Sequence, residues 1–272
     1  MRTTVTIQDE ALALCKDKAQ QKGISLGEAI TEAILATYRD SPEKARSRRF
    51  TLPVSGTGSA GMEAALANLL EPGDVAMVVE NGYFGLRLSE IASRQGAEVL
   101  TVPVEWGQTA SPEAVEAELK KHSNVKLLAA VHAETSTGVL QPLKDLGKLA
   151  HDNDALFLAD TVTSLGGSPI NFDDIDIDFA YSATQKCLGS PPGMAPVAIG
   201  PRALEVIKNR KEKPRTWYLD LGLLRKYWEG GTRVYHHTAP VSMIYALREA
   251  LRIALDEGME NRWLRPPPSA EI

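Results

Sequence analysis

The pattern of hydrophobic and polar positions changes near residue 50. From residue 51 onward, short apolar runs alternate with segments of helical period, and most of the runs contain few polar side chains. Strands that are covered on both faces have this character, because neither face meets water. The predicted strands cover residues 74–80, 98–104, 126–132, 155–160, 179–183 and 195–200. The predicted helices cover residues 59–70, 85–95, 112–121, 143–152, 201–210 and 241–257.

This alternation of strands and helices predicts the fold class. It indicates an α/β domain with a doubly wound, mainly parallel sheet, and such domains carry their sites at the carboxyl ends of the strands. The last residues, 262–272 (RWLRPPPSAEI), interrupt the pattern, because three consecutive prolines end any helix. We therefore expect an irregular tail over residues 264–272.

Residues 1–50 have a different pattern, which predicts a separate small unit. Polar and apolar side chains alternate over residues 2–7 (RTTVTI), as they do in a short strand, and a helix is predicted for residues 9–22. A second helix begins near Ser25. The basic segment 41–50 (SPEKARSRRF) is typical of a linker.

Charge and cysteine content narrow the function classes. The first fifty residues carry nine Lys and Arg against seven Asp and Glu, whereas the remainder carries 21 against 28, so the two parts suit different partners. Cys15 and Cys187 lie in unrelated contexts, which supports neither a disulfide framework nor a zinc site. No apolar run reaches the roughly 20 residues of a membrane span. We therefore expect a cytoplasmic protein without a membrane partner.

A glycine-rich turn is the first candidate for chemistry. It lies in residues 53–70 (PVSGTGSAGMEAALANLL), where three glycines lead into a helix. Glycines let a ligand approach the backbone closely, and the first-turn amides of a helix attract anions because they have no internal partners. The hydroxyls of Thr57 and Ser59 add donors. The spacing is that of neither a P-loop nor a dinucleotide-binding motif, and a plain strand-to-helix turn explains the segment equally well.

Two ionisable residues follow predicted strands. Asp160 ends the apolar run LFLAD, where an acid serves most often as a helix cap or turn residue. The functional alternative is a partly dry carboxylate aimed at a cationic ring nitrogen. Lys186 lies among small polar residues in YSATQKCLGSPPG (181–193). It is either a solvated surface lysine or an amine withdrawn from water that attacks a carbonyl group to form a Schiff base.

Two adjacent histidines are the remaining candidates. His236 and His237 occur in RVYHHTAP (233–240), and on a strand their side chains would point in opposite directions. Such a pair does not easily share a metal ion. We predict no metal site here, and instead a stacked or hydrogen-bonding segment at the rim of a site.

The order of these features indicates one cofactor. A pyridoxal phosphate site needs a helix N-terminus for the phosphate, a carboxylate for the pyridine nitrogen and an amine for the aldehyde. The glycine-rich turn, Asp160 and Lys186 supply these three groups in sequence, and the small residues around Lys186 leave room for a flat ring. The sequence therefore predicts pyridoxal 5′-phosphate as cofactor.

Residues 51–263 resemble the class V aminotransferases of the alanine–glyoxylate and serine–pyruvate type. The segments that carry the resemblance are SGTGSAGMEAALANLLEPGD, ETSTGVLQPL, DTVTSLGG, YSATQKCLGSPPG and YHHTAPV. The resemblance implies the large domain of a fold type I transferase that depends on pyridoxal phosphate. It also implies small amino acid and 2-oxo acid substrates, and a homodimer with shared active sites.

The resemblance further implies a role for each site residue. Lys186 is the amine that forms the Schiff base and then transfers the proton, and Asp160 pairs with the protonated pyridine nitrogen. Val162 and Phe84 pack on the two faces of the ring, with Phe84 at a position where the family usually has tryptophan. Thr135 forms a hydrogen bond with the ring hydroxyl. The implied phosphate ligands are Thr57, Gly58, Ser59 and Gln185, together with Tyr235 and Thr238 contributed across the dimer.

Two parts of the family have no counterpart in the match. One is the C-terminal small domain, which carries the arginine that binds the substrate carboxylate, and the other is the N-terminal arm. Since that arginine orients the substrate, we expect cofactor binding to survive better than turnover. The plainest alternative is a fused fragment without function.

Residues 1–50 resemble the ribbon-helix-helix antitoxins of bacterial toxin–antitoxin pairs, through MRTTVTI, GISLGEAI and RSRRFTLPV. In that family two copies pair their strands and place the ribbon in the major groove of DNA. The resemblance implies that Arg2, Thr4 and Thr6 face the bases. The alternative function is therefore a DNA-binding regulator, with DNA or a toxin as the partner of this segment.

Overall fold

The chain consists of two units, residues 1–48 and residues 49–272. The computed structural model describes residues 9–24, 29, 49–228 and 234–265. In the first unit, helix α1 (Asp9–Lys22) coincides with the helix predicted from the sequence. Gly23 follows it with a φ of +65°, a left-handed conformation that glycine adopts readily and that commonly ends a helix.

Several predictions fall outside the described residues. They concern the strand at residues 2–7 with Arg2, Thr4 and Thr6, most of the second helix, residues 41–48 of the linker, and residues 266–272 of the tail. Within the described parts of the chain, no helix is long and apolar enough to cross a membrane.

The second unit is built around a seven-stranded sheet. Its strands are β1 (Phe50–Ser55), β2 (Val75–Glu80), β3 (Glu98–Pro103), β4 (Val125–Val131), β7 (Leu156–Asp160), β8 (Phe179–Tyr181) and β9 (Met194–Ile199). A separate two-stranded sheet consists of β5 (Ala133–Glu134) and β6 (Val139–Leu140). The order across the large sheet is β1-β9-β8-β7-β4-β2-β3. Its only antiparallel pairings are those of β9, so the sheet is mainly parallel, as predicted.

Helices cover both faces of this sheet. They are α2 (Gly58–Leu69), α3 (Tyr83–Arg94), α4 (Pro112–Leu119), α5 (Lys144–Asp152), α6 (Pro201–Lys208), α7 (Leu221–Trp228), α8 (Val241–Glu257) and α9 (Met259–Leu264). One core contains side chains of α2, α3, α6 and α7, and a second core contains those of α4 and α5. Strand β4 serves both cores, because Leu127 and Ala129 face the first whereas Leu128 and Ala130 face the second. This double coverage explains the nearly continuous apolar runs.

The six predicted strands and six predicted helices of this unit are confirmed, with small shifts at their ends. Strand β1 was not predicted, and Phe50, assigned to the linker, begins it. Two features hide β1 in the sequence. It lies at the edge of the sheet with only Leu52 and Val54 fully buried, and it contains Pro53, which edge strands tolerate.

Further elements differ from the expectation, most of them in the C-terminal part of the chain. Helices α7 and α9 and the small β5–β6 sheet were not predicted. Leu264, expected to begin the irregular tail, is the last residue of α9. The chain therefore continues as a helix of six residues beyond α8, and the prolines at 266–268 lie outside the described residues.

The buried carboxylate of Asp178 stabilises the edge of the sheet at which the parallel strands begin. Asp178 Oδ2 accepts hydrogen bonds from the amide of Phe157 at 2.9 Å, from His151 Nε2 at 2.9 Å and from Arg202 at 3.1 Å. The Asp178 side chain is only 5% exposed. It therefore connects β7, α5 and α6, and its removal leaves buried donors without an acceptor.

We expect Asp178→Ala to lower the free energy of unfolding by about 2–3 kcal/mol, because the buried Phe157 amide and the Arg202 guanidinium lose their acceptor. Urea denaturation measures this change. Asp154→Asn is the matched control, since Asp154 pairs with the same Arg202 at 3.2 Å but is fully exposed. It should change stability little. Equal losses for the two variants would contradict the role given to Asp178.

Candidate active site

The candidate site lies where β7 and β8 end. The two strands run parallel, and Asp160, the last residue of β7, is paired in register with Tyr181, the last residue of β8. Lys186 follows five residues after Tyr181, in a turn closed by a hydrogen bond from the Gly189 amide to the Lys186 carbonyl at 2.9 Å. The carboxylate and the amine predicted for one site therefore belong to segments that leave the same edge of the sheet.

The Asp160 carboxylate is buried and hydrogen-bonded. It is 3% exposed, and it accepts hydrogen bonds from the Tyr181 hydroxyl at 2.7 Å and from the Val162 amide at 2.8 Å. Burial raises the pKa of Asp160 from 3.8 to about 6, and the two hydrogen bonds oppose that rise. A cation beside this carboxylate would restore its ionisation.

The N-terminus of α2 packs against the segments that follow both strands. A Cβ atom at Gly58 would lie 2.9 Å from Val162 Cγ2 and 3.1 Å from Ala183 Cβ, so only glycine allows this close approach. Thr57, the N-cap residue, makes no capping hydrogen bond with its side chain. Thr57 and Ser59 are exposed. The tip of the helix thus presents hydroxyl groups and first-turn amides next to the Asp160 segment.

An arginine connects α2 to α3. Arg87 donates a hydrogen bond to Ser59 Oγ at 3.2 Å, and its guanidinium carbon lies 4.8 Å from the centre of the Phe84 ring. Phe84 is half-buried. The positive charge of Arg87 also opposes the rise in the pKa of Asp160, so Arg87 lies within electrostatic reach of the buried carboxylate. Arg87 therefore links the predicted ring-stacking residue to a predicted phosphate ligand.

Thr135 belongs to the segment that follows β4. Its hydroxyl is exposed and lies 3.5 Å from the Thr163 hydroxyl, next to Val162. The preceding residue, Glu134, is buried and accepts a hydrogen bond from the Phe84 amide at 3.0 Å. That carboxylate caps the first turn of α3, which is a favourable position for a negative charge. Thr135 and Phe84 are thereby held in neighbouring segments.

The remaining predicted residues are exposed. Gln185 precedes Lys186 in the same turn, and both side chains face solvent. Tyr235 is 71% exposed, and its hydroxyl lies 3.0 Å from that of Thr238. Among the described residues, neither Tyr235 nor Thr238 has a hydrogen bond to another predicted site residue. The structure thus connects the residues of α2, α3 and the strand ends with one another, and it places Tyr235 and Thr238 in a separate exposed segment.

The adjacent histidines form the stacked, hydrogen-bonding segment predicted for them. The His236 ring stacks on Trp217, with centroids 4.3 Å apart and planes 5° from parallel. The segment is not a strand, so the opposite orientation expected for a strand does not apply, and His236 Nδ1 lies 2.8 Å from His237 Nδ1. His237 also lies 2.8 Å from the Ser55 hydroxyl at the end of β1. In the part of the chain that the structure describes, no group of His, Cys, Asp and Glu is suited to a metal ion.

The second unit contains two cavities that the predicted site residues do not line. One, of about 770 Å³, extends from Phe50 to Trp217 along α6 and α7, and the other, of about 300 Å³, lies between α8 and the sheet. No predicted site residue lines either cavity. The side chains of Thr57, Ser59 and Lys186 are exposed, so the candidate site is an exposed surface with the buried Asp160 carboxylate beneath it.

Three residues of the site were missed from the sequence. Tyr181 bonds Asp160 from the neighbouring strand, Glu134 caps α3, and Arg87 contacts Ser59 and Phe84. Tyr181 and Glu134 are the first residues of two segments that carry the family resemblance, near the ends of apolar runs. Aligning these runs as parallel strands would have placed both side chains at the site. Arg87 carries no such signal, since one arginine on an amphipathic helix is most often a solvated residue.

The comparisons with known proteins agree with this geometry. The family profile "Aminotransferase class-V" matches residues 43–265. The chain is 46% identical over 217 residues to rat (Rattus norvegicus) alanine–glyoxylate aminotransferase, covering 79% of this chain and 52% of that protein. It is 41% identical over 235 residues to the (S)-ureidoglycine–glyoxylate transaminase of Bacillus subtilis, covering 80% of this chain and 56% of that protein.

A solved structure shows the same fold. The crystal structure of alanine–glyoxylate aminotransferase from Nostoc sp. superposes with a TM-score of 0.79 at 50% identity, covering 82% of this chain and 58% of that one. The chain thus spans about half the length of the relatives that it matches. The profile, the identities and the mainly parallel sheet lead to one conclusion. The chain belongs to the class V aminotransferases.

Proposed function

We propose that this chain binds pyridoxal phosphate and transfers amino groups between small 2-amino acids and a 2-oxo acid such as glyoxylate or pyruvate. Class V aminotransferases depend on this cofactor. The observation that carries the proposal is the convergence of three groups at one edge of the sheet. These are the buried Asp160 carboxylate, the turn with Lys186 and the N-terminus of α2.

The described residues fit the cofactor. The Asp160 carboxyl group has a raised pKa because it is buried, and a protonated pyridine nitrogen is the kind of cation that would ionise it. The tip of α2 supplies amides and the hydroxyls of Thr57 and Ser59 to an anion such as phosphate. Lys186 is exposed in the turn that leaves the same edge, and its amine is the group that an aldehyde needs. The charge, hydrogen-bonding capacity and position of these residues therefore agree with what the cofactor needs.

Each residue then has a defined task. Pyridoxal phosphate, when bound, supplies the electron sink that amino transfer requires. Asp160 would hold the proton on the ring nitrogen through its charge. Lys186 would hold the cofactor at its aldehyde, with loss of water, and its Nζ, once displaced by the substrate's amino group, would move the α-proton. Thr135 binds the ring hydroxyl, while Val162 and Phe84 orient the ring from its two faces. The proposed phosphate ligands are Thr57, Gly58, Ser59, Gln185, Tyr235 and Thr238.

The names of the relatives support the substrate class. The rat and Nostoc proteins are alanine–glyoxylate aminotransferases, and the Bacillus subtilis protein is a ureidoglycine–glyoxylate transaminase. Glyoxylate is common to all three names. We include in the proposal a homodimer in which Tyr235 and Thr238 complete the site of the other subunit. The exposure of Tyr235 supports that arrangement.

The DNA-binding alternative is not carried forward. Its residues, Arg2, Thr4 and Thr6, lie outside the described residues, and neither the family profile nor any relative named above points to DNA binding. No second function is therefore proposed.

The first test of the proposed function concerns Lys186. Pyridoxal phosphate added to the purified chain should produce a visible absorption band, and borohydride should abolish the band and leave the reduced cofactor on Lys186, as read by peptide mass spectrometry. Lys186→Ala should lose both signals, because it lacks the amine. Lys208→Ala is the matched control: Lys208 is an exposed lysine on α6, and its loss should leave both signals intact.

Two outcomes would refute this proposal. A parent chain that stays colourless with excess cofactor would remove the basis for cofactor binding. Cofactor reduced onto exposed lysines such as Lys208 as readily as onto Lys186 would show only nonspecific modification.

The second prediction concerns Asp160 and pH in the cofactor-free chain. The folded protein holds the Asp160 proton up to about pH 6, whereas the unfolded chain releases it near pH 3.8. The contribution of Asp160 to the free energy of unfolding therefore falls as the pH rises between these values. Asp160→Asn has no proton to release. Relative to this variant, the parent should lose roughly 2 kcal/mol of stability between about pH 4 and pH 6.5.

Urea denaturation of both proteins across this pH range measures the difference, and other titrating groups cancel in the comparison. Saturating pyridoxal phosphate should reduce the loss in the parent, because a cation beside the carboxylate lowers its pKa. Parallel pH profiles for the parent and Asp160→Asn would show that the Asp160 carboxyl group is not perturbed.

A further inference from the structure

Arg262, in the C-terminal helix α9, contacts both segments that form the candidate site. Its guanidinium donates hydrogen bonds to the Cys187 carbonyl and, at 2.9 Å, to the Gly166 carbonyl. Cys187 directly follows Lys186, and Gly166 lies six residues after Asp160. One side chain thus joins the turn with the amine to the segment that leaves the buried carboxylate.

The contact is partly buried, and an ion pair holds Arg262 from the other side. The Arg262 side chain is 11% exposed, and it pairs with Glu257 of α8 at 3.3 Å. Glu257 also pairs with Arg265 at 2.8 Å. Hydrogen bonds from a charged donor are about twice as strong as neutral ones. The planar guanidinium also offers donors in fixed directions, which lets it hold two carbonyl groups at once.

The two segments that Arg262 joins are already in close contact. The Cys187 thiol donates to the Thr163 carbonyl at 3.2 Å, and a Cβ atom at Gly167 would lie 2.5 Å from the Cys187 sulfur. Leu188 packs with Leu247 of α8 on the far side of the turn. The turn therefore packs against the segment after Asp160 on one side and against α8 on the other. Arg262 supplies charged hydrogen bonds that join the turn to the segment after Asp160.

We infer that Arg262 is a positioning residue for the Lys186 amine, an inference that rests on the proposed function. By fixing the Cys187 carbonyl relative to Gly166, Arg262 fixes the backbone from which Lys186 projects and so its position relative to Asp160. A bound ring must meet both groups at once, and a displacement of about 1 Å is enough to slow a reaction about a hundredfold. Arg262 itself touches neither the ring site nor the reacting atoms.

The first experiment, done without cofactor, measures how firmly Arg262 holds the turn that contains Lys186. In a Cys15→Ser background, Cys187 is the only thiol, and its labelling by a disulfide reagent reports opening of the turn. We expect Arg262→Met to raise the labelling rate about tenfold, because two charged hydrogen bonds are lost. Arg262→Lys should give an intermediate rate, since ammonium cannot hold two carbonyl groups in the same way. A pH series separates accessibility from ionisation of the thiol.

The matched control is Arg252→Met. Arg252 lies on the neighbouring helix α8, and its ion pairs with Glu249 and Asp256 are exposed and do not involve the Lys186 turn. It should leave the labelling rate unchanged. A thermal melt of each variant establishes that the chain is folded. Where Arg262→Met does not fold, Arg262→Lys and Glu257→Gln provide the test; Glu257→Gln removes the ion-pair partner that Arg262 shares with Arg265.

The second experiment measures the consequence for the amine. The rate at which borohydride traps pyridoxal phosphate on Lys186 should fall about tenfold to a hundredfold in Arg262→Met and recover in part in Arg262→Lys. Labelling of Cys187 at the parent rate in both Arg262 variants would overturn the inference. Faster labelling with an unchanged trapping rate would also overturn it, since Arg262 would then hold the turn without positioning the amine.

Failure of the proposed function gives a different result. A parent chain that traps no cofactor on Lys186 refutes pyridoxal phosphate binding, whatever the Arg262 variants do. The thiol rates do not involve the cofactor, so they still decide whether Arg262 holds the turn. The two proposals can therefore fail separately.

Discussion

The burial of a carboxylate at the end of the central strand is the constraint on which the site depends. Strand β7 lies in the middle of the sheet, with β4 and β8 as parallel neighbours, so Asp160 at its end is screened from water. A buried carboxylate is costly unless it is hydrogen-bonded or neutralised. The Tyr181 hydroxyl and the Val162 amide satisfy its oxygens, but its pKa stays raised. The fold therefore maintains a place for a cation at this edge.

The groups around that carboxylate come close because the side chains between them are small. Gly58 leaves no room for a Cβ atom against Val162 and Ala183, so α2 reaches the strand ends directly. The turn with Lys186 is held from behind by Arg262 and by the apolar contact of Leu188 with α8. The open surface of the site thus rests on a tightly packed base. Such a base keeps exposed side chains in a defined place although solvent surrounds them.

Much of the fold was predictable because its strands are covered on both faces. Apolar runs such as residues 126–132 indicate buried parallel strands without knowledge of their partners, and the structure confirms them. Strand β1 was not predictable in the same way, because it lies at the edge of the sheet, contains Pro53 and has no continuous apolar run. Helix α9 lies beside a run of prolines that suggested an irregular tail. Local pattern fails where an element is short or at an edge.

The sequence by itself determined the family, the alternation of the longer strands and helices, and the three kinds of group proposed for the site. Their residue types and spacing are local properties, and the glycine-rich turn, Asp160 and Lys186 follow in an order that the chain states directly. Only the tertiary structure decided which side chains support them. Tyr181 on Asp160 and Arg262 on the Cys187 carbonyl join residues 21 and 75 positions apart. Such contacts depend on strand register and helix docking, which no local pattern contains.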